Sequence, residues 1–356
     1  MMAMQERIPV AVLGATGAVG QTFVRLLEGH PTFRVAEVAA SERSAGKPYR
    51  DAARWHEGAC PAEIGELTVL PASPENVTAP MVFSALDASV AGEVEADFAR
   101  AGRVVLSNAK NHRMDPDVPL VVPEINANHL DLLQTQRRDR AWTGAIVANA
   151  NCAATVAAMA LAPLHEAFGI HSVFATTLQA VSGAGYPGVA SLDILGNVIP
   201  EIGGEEEKIQ EELGKILGRL NGDVIEPASF SVSAHANRVA VHHGHTVCLS
   251  VGLDQRVSPE EALAAFEAWR GEEVCFGLPS APALPVMLSA ETDRPQAKKD
   301  VDAGDGMSVV VGRVRADPIL DVRLVALGHN TVRGAAGGSI LNGEIMARRG
   351  MVAGAP

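Results

Sequence analysis

One cysteine stands where a strand is expected to meet a helix. Cys152 follows the apolar run 144–148, which predicts a strand, and precedes the alanine-rich run 153–168, whose periodicity predicts a helix ending at Gly169. At a helix N-terminus, unpaired N–H groups and the helix dipole favour a thiolate, the form of cysteine that attacks a carbonyl carbon. Cys152 is therefore a candidate nucleophile, and the alternative is a small apolar residue in a tight turn.

A second set of reactive side chains lies in RVAVHHGHTVCL at 238–249. Strand alternation alone would put Arg238 and His245 on opposite faces, but the break at His243-Gly244 can re-aim His245, so that both converge at one sheet end. Histidine suits proton transfer beside a thiolate, and arginine suits bidentate binding of a carboxylate.

Two alternatives to a catalytic role remain for the histidines of this segment. They could be surface residues, or they could form a metal site. This metal patch would combine His242, His243, His245 and Cys248. No acidic cluster accompanies them, so we expect no metal.

A glycine-rich turn follows the first predicted strand, Ile8–Leu13. The sequence GATGAVG at 14–20 leads from that strand into a predicted helix, 21–27. Gly14 permits a tight turn, Gly17 lets the backbone approach a pyrophosphate, and Gly20 lets the helix pack closely on its strand. The spacing is GxxGxxG instead of GxGxxG, and its position after a strand predicts a dinucleotide site.

The second predicted strand, Phe33–Ala40, ends in SERSAG at 41–46. An NAD-specific site usually offers an acid here, whereas Arg43 between Ser41 and Ser44 can hold a 2′-phosphate. The loop therefore favours NADP over NAD. The alternative is an ordinary polar turn with an exposed arginine, and the acidic Glu42 beside Arg43 is compatible with it.

Further strands at 81–85 and 103–107 flank a helix at 91–101, and this βα alternation predicts a parallel sheet. The loops 84–87 and 107–113 follow those strands, where an open α/β sheet binds ligands. Arg113 is the candidate cation there, with a surface arginine as the alternative.

The second half of the chain predicts a mixed or antiparallel sheet with helices on one face. Its expected strands are 171–180, 228–233, 238–241, 246–251, 307–315 and 320–327, and its expected helices are 203–217 and 259–269. On the first helix, Glu205 and Lys208 are i, i+3 neighbours that can point together into a cleft. A solvated helix face is the alternative for these charges.

Composition limits the function classes. With 356 residues and 47% hydrophobic residues, the chain is long enough for two domains. A net charge of −13 argues against nucleic-acid and anionic-membrane partners. The four cysteines lack disulfide or metal spacing, residues 1–10 lack a signal peptide, and no apolar run approaches the roughly 20 residues of a membrane span. We expect a soluble cytoplasmic protein.

Seven motifs occur in order across nearly the whole chain: GATGAVG, SNAKNHRMDPDVPLVVPEIN, NANC, LQAVSGAGYPG, GGEEEKI, NRVAVHHGHT and HNTVRGAAGGSILN. Together they resemble the aspartate-semialdehyde dehydrogenase family, in its archaeal/fungal type. The resemblance implies NADPH-dependent, reversible reductive dephosphorylation of L-aspartyl-4-phosphate to L-aspartate 4-semialdehyde through a cysteine thioester, in lysine, threonine and methionine biosynthesis. The alternatives are a malonyl-CoA or related acyl-CoA reductase and a catalytically silent nucleotide-binding protein.

The fold implied is α/β, with a Rossmann-type NADP-binding domain and an α+β catalytic and oligomerisation domain that contains a mixed sheet. The first domain is expected to comprise residues 1–151 and about 332–356, with a helix at about 334–348 returning to it, and the second 152–331. The resemblance also implies a homodimer or homotetramer.

The resemblance assigns Cys152 as nucleophile, His245 as acid/base and Gln179 as the residue that orients the reacting group. It also implies that Arg238 binds the substrate carboxylate and that Glu205 binds the substrate ammonium group. Arg113 and Lys208 would bind the phosphate. The remaining predicted substrate contacts are Asn151, Ser182 and Gly183. The predicted cofactor contacts are Gly14, Thr16, Gly17, Ala18, Val19, Ser41, Arg43, Ser44, Ser84, Ala85, Ser107, Asn108, Asn330 and Thr331.

The oxyanion of the tetrahedral species is expected to meet the backbone N–H of Cys152 and a neighbouring amide, that of Asn151. The chain departs from the usual family pattern at five positions without losing a catalytic group: Ala150, Ala236, Ala240, His242 and His243.

Overall fold

The computed structural model describes residues 7–352. Residues 1–6, within the stretch expected to lack a signal peptide, lie outside the described residues. So do residues 353–356, the end of the segment expected to return to the nucleotide-binding domain.

Seven parallel strands form the first sheet, in the order β3-β2-β1-β4-β5-β7-β6. The strands are β1 (Ile8–Leu13), β2 (Phe33–Ala40), β3 (Val69–Pro71), β4 (Met81–Ser84), β5 (Val104–Ser107), β6 (Leu120–Val121) and β7 (Ala145–Asn149). The four residues of β4, the four of β5 and the five of β7 are all buried, as parallel strands with helices on both faces require. The expected parallel sheet is confirmed.

Helices connect and cover these strands. They are α1 (Ala18–Leu27), α2 (Tyr49–Ala52), α3 (Ala62–Gly65), α4 (Ala88–Arg100), α5 (Pro123–Asn126) and α6 (Leu133–Arg140). The sheet order puts β4 directly beside β1, although β2 and β3 lie between them in sequence. The turn after β1 and the loops after β4 and β5 therefore meet at one edge of the sheet, at a switch point of the strand order.

Two glycines let this edge close up. A Cβ on Gly14 would lie 2.4 Å from the carbonyl oxygen of Ala85, and Gly14 has a φ of +70°. A Cβ on Gly20 would lie 2.3 Å from the oxygen of Gly14. Only glycine fits these two positions, as the sequence predicts.

The second sheet is mixed, in the order β11-β8-β12-β15-β14-β13. Its strands are β8 (Ile170–Gln179), β11 (Ser231–Arg238), β12 (His245–Leu253), β13 (Val286–Ser289), β14 (Val309–Ala316) and β15 (Val322–Gly328), and a separate hairpin joins β9 (Arg219–Asn221) to β10 (Val224–Glu226). Strands β11 and β13 run parallel to their neighbours, and the other pairs are antiparallel.

Helices of the second half are α7 (Cys152–Phe168), α8 (Ser191–Ile194), α9 (Glu205–Ile216), α10 (Pro259–Ala268), α11 (Ala297–Asp300) and α12 (Gly337–Arg348). Helix α7 is buried over most of its length and packs against β12, β8 and β15. Helix α12 returns to the first sheet, where Gly343 would place a Cβ 3.0 Å from Leu106 of β5. A π-helical turn, Val332–Ala336, leads directly into α12.

The predicted bounds of two strands, 228–233 and 238–241, are wrong. A single strand, β11, covers 231–238, and residues 239–244 form a loop. Strand β11 pairs with β8 as far as Arg238 opposite Gln179, where β8 ends. The chain must then turn before β12 can run antiparallel to β8 on its other side.

Candidate functional site

Cys152 is the first residue of α7, as the sequence predicts. Asn151 caps this helix, because its Oδ1 accepts hydrogen bonds from the N–H groups of Ala153 and Ala154 at 2.9 and 3.0 Å. Gly334 packs against the cysteine so closely that a Cβ there would lie 2.6 Å from Cys152 Cβ. The nucleophile candidate is thus held between the helix cap and the C-terminal segment.

His245 begins β12 and is fully buried. Its Nε2 lies 3.1 Å from Cys152 Sγ, and its Nδ1 accepts the N–H of Ala180 at 3.1 Å. Because Nδ1 accepts a hydrogen bond, the neutral ring carries its proton on Nε2, facing the sulfur. Cys152 and His245 therefore form a hydrogen-bonded pair.

Burial controls the protonation of this pair. Burial and the nearby Glu205 carboxylate raise the pKa of the Cys152 thiol to about 12, although Arg113, the N–H of Ala153 and Arg238 act in the opposite direction. Burial also lowers the pKa of His245 to about 3. Desolvation therefore opposes the thiolate expected at the helix N-terminus, and the directions of both pKa shifts favour the neutral forms.

Arg238 and His245 converge, but not by a bend within one strand. Arg238 ends β11 and His245 begins β12, the strands on either side of β8. Arg238 Nη1 donates to the carbonyl oxygen of Ala180 at 2.8 Å. A Cβ on Gly183 would lie 2.9 Å from Arg238 Nη1 and 3.0 Å from His245 Cε1, so a larger residue would displace one of these two side chains.

Glu205, the first residue of α9, is only 5% exposed and is not part of a solvated helix face. Its carboxylate accepts hydrogen bonds from Asn151 Nδ2 at 2.7 Å, Lys208 Nζ at 3.0 Å and Gln179 Nε2 at 3.2 Å. Burial raises the pKa of Glu205, but the charge of Lys208 and these hydrogen bonds outweigh it and hold the pKa below its usual range. Glu205 is therefore an anion at neutral pH.

Arg113 is buried, which excludes the surface-arginine alternative. Its Nη1 donates to Glu212 Oε1 at 2.9 Å and its Nη2 to the carbonyl oxygen of Asn108 at 2.9 Å. The predicted phosphate ligands are thus held by two carboxylates of α9, because Lys208 pairs with Glu205 and Arg113 with Glu212.

The backbone amide of Asn151 is not available to an oxyanion, and that expectation is wrong in this geometry. Its N–H donates to Glu212 Oε2 at 2.6 Å. The physical reason is that a buried carboxylate needs donors for both oxygens, and Asn151 supplies one of them.

At the edge of the first sheet, Gly17 caps α1 without a side-chain hydrogen bond, so the first N–H groups of this helix are not bound by a capping side chain. A Cβ on Gly17 would have only one contact, at 3.4 Å, so the space beside it is open. Around it, Thr16, Ala18 and Val19 are partly exposed. This turn fits a pyrophosphate.

The remaining predicted cofactor contacts divide into two groups. Ser41 and Arg43 are exposed beside the partly exposed Ser44, in the turn after β2. Ala85 and Asn108 are also partly exposed. Ser84 and Ser107, in contrast, are fully buried at the ends of β4 and β5, and Ser107 Oγ donates to the buried Glu95. The structure does not bring these last two side chains to the cleft.

Asn330 joins the two halves of the site. Its Nδ2 donates to Ser182 Oγ at 2.8 Å, and its Oδ1 accepts the N–H of Gly244 at 2.9 Å. Thr331 beside it is buried. Ser182 Oγ also lies 3.0 Å from His243 Nδ1, so His243 belongs to the wall of this cleft.

The metal-patch geometry does not form. His245 is buried while Cys248, three residues along β12, is exposed on the other face of the sheet. Within residues 7–352, no group of three or more histidine, cysteine, aspartate or glutamate side chains is arranged to hold a metal ion.

Sequence reasoning missed two features of the site. Glu212 carries a signal, because it lies four and seven residues after Lys208 and Glu205 on the same helix. The buried pair Arg333–Glu124, with an Nη1–Oε1 distance of 2.5 Å, joins the C-terminal segment to α5 and has no local sequence signal.

The chain matches two family models. Residues 9–133 match the semialdehyde dehydrogenase NAD binding domain, and residues 161–333 match the semialdehyde dehydrogenase dimerisation domain. It is 48% identical to aspartate-semialdehyde dehydrogenase of Archaeoglobus fulgidus over 97% of this chain and 100% of that protein. It is 45% identical to the enzyme of the same name from Schizosaccharomyces pombe, over 96% and 99%.

Solved structures are also similar to the chain. Aspartate semialdehyde dehydrogenase from Candida albicans, solved with NADP, has a TM-score of 0.89 and 40% identity, covering 96% of this chain and 99% of that one. The Vibrio cholerae enzyme II complexed with ASA has a TM-score of 0.76 and 26% identity, with the same coverage. In the part of the chain that the structure describes, the helices are too short or too polar to cross a membrane.

Proposed function

The chain belongs to the aspartate-semialdehyde dehydrogenase family, and we propose that it catalyses the NADPH-dependent reductive dephosphorylation of L-aspartyl-4-phosphate to L-aspartate 4-semialdehyde. The reaction is reversible and serves lysine, threonine and methionine biosynthesis. The observation that carries the proposal is the contact of 3.1 Å between Cys152 Sγ and His245 Nε2, beside a buried arginine and a buried, charged glutamate.

In the oxidative direction the sulfur of Cys152 attacks the aldehyde carbon, while its S–H proton passes to Nε2 of His245 in the Nδ1–H form and then to the aldehyde oxygen, and a hemithioacetal forms. NADP⁺ supplies the hydride acceptor, and oxidation leaves a thioester on Cys152. Phosphate then attacks the thioester carbon, the C–S bond breaks, and aspartyl-4-phosphate leaves. The reductive direction retraces these steps.

His245 moves the protons at Nε2. As a neutral Nε2–H donor it stabilises the thiolate that leaves by a hydrogen bond, and it can protonate the reacting oxygen only after it has become the imidazolium. To accept a proton at Nε2, the ring must first take its Nδ1–H form, which breaks the hydrogen bond from Ala180. In this geometry the ring is ready as a hydrogen-bond donor, whereas proton transfer at Nε2 requires a local rearrangement that puts a proton on Nδ1.

Substrate recognition combines opposite charges on two sides of the sulfur. Arg238 binds the α-carboxylate and Glu205 binds the ammonium group, so an amino acid is preferred over a plain acid. Gln179, held by Glu205, orients the reacting group, and Asn151, Ser182 and Gly183 complete the wall of the pocket. Arg113 and Lys208 bind the phosphate.

NADP fits the glycine-rich turn and the loop after β2. The open space beside Gly17 and the N-terminus of α1 suit the pyrophosphate, and the exposed Arg43 suits the 2′-phosphate. Asn330 and Thr331 hold the nicotinamide end near Cys152.

We assign the nucleotide-binding domain to residues 1–151 and about 332–356, and the catalytic domain to 152–331. A homodimer forms through the outer face of the second sheet. Support comes from Phe174 and Leu178 of β8, which are 54% and 36% exposed on that face, and from the dimerisation-domain match over 161–333.

The experiment is NADP⁺ reduction by the purified protein with L-aspartate semialdehyde and phosphate, run beside malonate semialdehyde with coenzyme A. We expect turnover only in the first assay, because Glu205 needs an ammonium partner. Turnover only in the second would contradict the proposal and indicate an acyl-CoA reductase.

A further inference from the structure

Two side chains of α9 reach the loop that carries Arg113. Glu212 and Lys215 are 2% and 6% exposed, one turn apart, and both point away from solvent. Neither belongs to the substrate contacts predicted from the sequence. Their hydrogen bonds show what they hold.

Lys215 fixes the backbone of the loop. Its Nζ donates to the carbonyl oxygens of Arg113, Asp115 and Val118 at 2.7, 2.7 and 2.8 Å. An ammonium group has three donors, and all three are used on this one loop. Helix α9 therefore fixes the position of the Arg113 backbone in the fold.

Glu212 fixes the guanidinium group. Its two oxygens accept from different partners, Arg113 Nη1 at 2.9 Å and the backbone N–H of Asn151 at 2.6 Å. Asn151 in turn caps the helix that begins with Cys152. One carboxylate thus sets the position of the arginine relative to the nucleophile.

Arg113 keeps donor capacity free. Its Nε is buried and has no hydrogen-bond partner among residues 7–352. A buried N–H without a partner is costly, and a bound anion would satisfy it. The orientation imposed by Glu212 leaves this donor for a ligand.

We infer that Glu212 is a positioning residue. It holds the Arg113 guanidinium at a fixed place relative to Cys152, so that phosphate bound by Arg113 lies beside the thioester carbon that it attacks. The inference rests on the proposed function, since it takes phosphate as the ligand of Arg113. Glu212 is not among the predicted substrate contacts, and its two oxygens accept hydrogen bonds from Arg113 and Asn151.

Glu212→Gln tests this with little change in size. An amide has one acceptor oxygen, so either Arg113 or the Asn151 N–H must face an NH₂ group. We expect KM for phosphate to rise about ten-fold or more, since a hydrogen bond to a charged group is lost. KM for NADP⁺ should stay within about two-fold, because neither hydrogen-bond partner of Glu212 is a predicted cofactor contact.

The matched control is Glu211→Gln, which changes an exposed residue of the same helix and should leave KM for phosphate unchanged. Glu212→Asp keeps the charge but shortens the side chain, and we expect an intermediate KM for phosphate. In an Arg113→Gln background, Glu212→Gln should add little to the loss, because Glu212 acts through Arg113.

Wild-type turnover with phosphate establishes the proposed function independently of this inference. An unchanged KM for phosphate in Glu212→Gln, or an additive effect in the double variant, would overturn the role of Glu212. Loss of NADP⁺ binding in both Glu212 variants would also overturn it, because Glu212 would then support the whole fold instead of one arginine.

Discussion

At the residue scale, burial disfavours the charged forms of both Cys152 and His245. Burial raises the pKa of Cys152 to about 12, and His245 stays neutral because burial lowers its pKa to about 3. A neutral thiol reacts slowly with electrophiles, because the thiolate is the nucleophilic form of cysteine. Ionisation then requires groups that enter with the substrate and cofactor.

Alkylation of Cys152 by iodoacetamide should therefore be slow at pH 7 and rise about ten-fold per pH unit up to pH 9 without a plateau, since only the thiolate reacts. The rate is followed on the Cys152 peptide by mass spectrometry, with Cys152→Ser as the control for the exposed Cys248. A plateau below pH 7 would mean that the free protein already holds a thiolate.

At the element scale, most of the fold is predictable from local patterns. Strands β1 and β2 agree with their predicted bounds, and α7 begins at Cys152, one residue before the predicted run 153–168. Apolar runs and glycine turns are local signals, which a sequence carries directly.

The contacts of α9 were not predictable in the same way. The run EEEKIQEELGK is equally compatible with a solvated face, and which of its charges are buried depends on the loops that pack against it. The i, i+3 spacing of Glu205 and Lys208 predicts that they converge, and the family resemblance supplies their roles. Glu212 and the Arg113 loop, in contrast, meet only in the folded chain. The raised pKa of Cys152 has no local sequence signal either, because burial is a tertiary property.

Substituting two glycines of the first βα turn should distinguish an effect on helix packing from an effect on NADP⁺ binding. In Gly20→Ala the new methyl would meet backbone atoms of Gly14 and Ala15 at 2.3 and 2.7 Å, so we expect a stability loss of about 1–3 kcal/mol and weaker NADP⁺ binding.

In Gly17→Ala the nearest atom is 3.4 Å away, so Tm should hold while NADP⁺ binding weakens, because the methyl group occupies the approach of the pyrophosphate. Thermal unfolding and NADP⁺ titration measure both effects. Equal Tm values for Gly20→Ala and wild type would contradict the close packing of α1 on its strand.

At the scale of the whole molecule, the proposed active site lies where the ends of two sheets and the C-terminal segment meet. The buried Arg333–Glu124 pair and the contact between Gly334 and Cys152 join the returning chain to the catalytic helix. Removing one partner of such a pair leaves an uncompensated buried charge. The C-terminal segment is therefore part of the catalytic architecture.

A homodimer through the outer face of the second sheet predicts that Phe174→Asp and Leu178→Asp each yield a monomer, since a charge is costly in an apolar interface. Light scattering after gel filtration measures the mass. Val90→Asp, at an exposed apolar position on α4, is the control and should leave the dimer intact. A Phe174→Asp dimer as stable as wild type would exclude this face.

The most direct measurement of the central claim is a phosphate-free reaction of the protein with NADP⁺ and L-aspartate semialdehyde. We expect a burst of NADPH equal to the concentration of active sites, an acyl adduct on Cys152 by mass spectrometry, and full turnover once phosphate is added. Cys152→Ser should bind NADP⁺ but give neither burst nor adduct. Steady turnover of Cys152→Ser, or an adduct on another residue, would contradict the thioester mechanism.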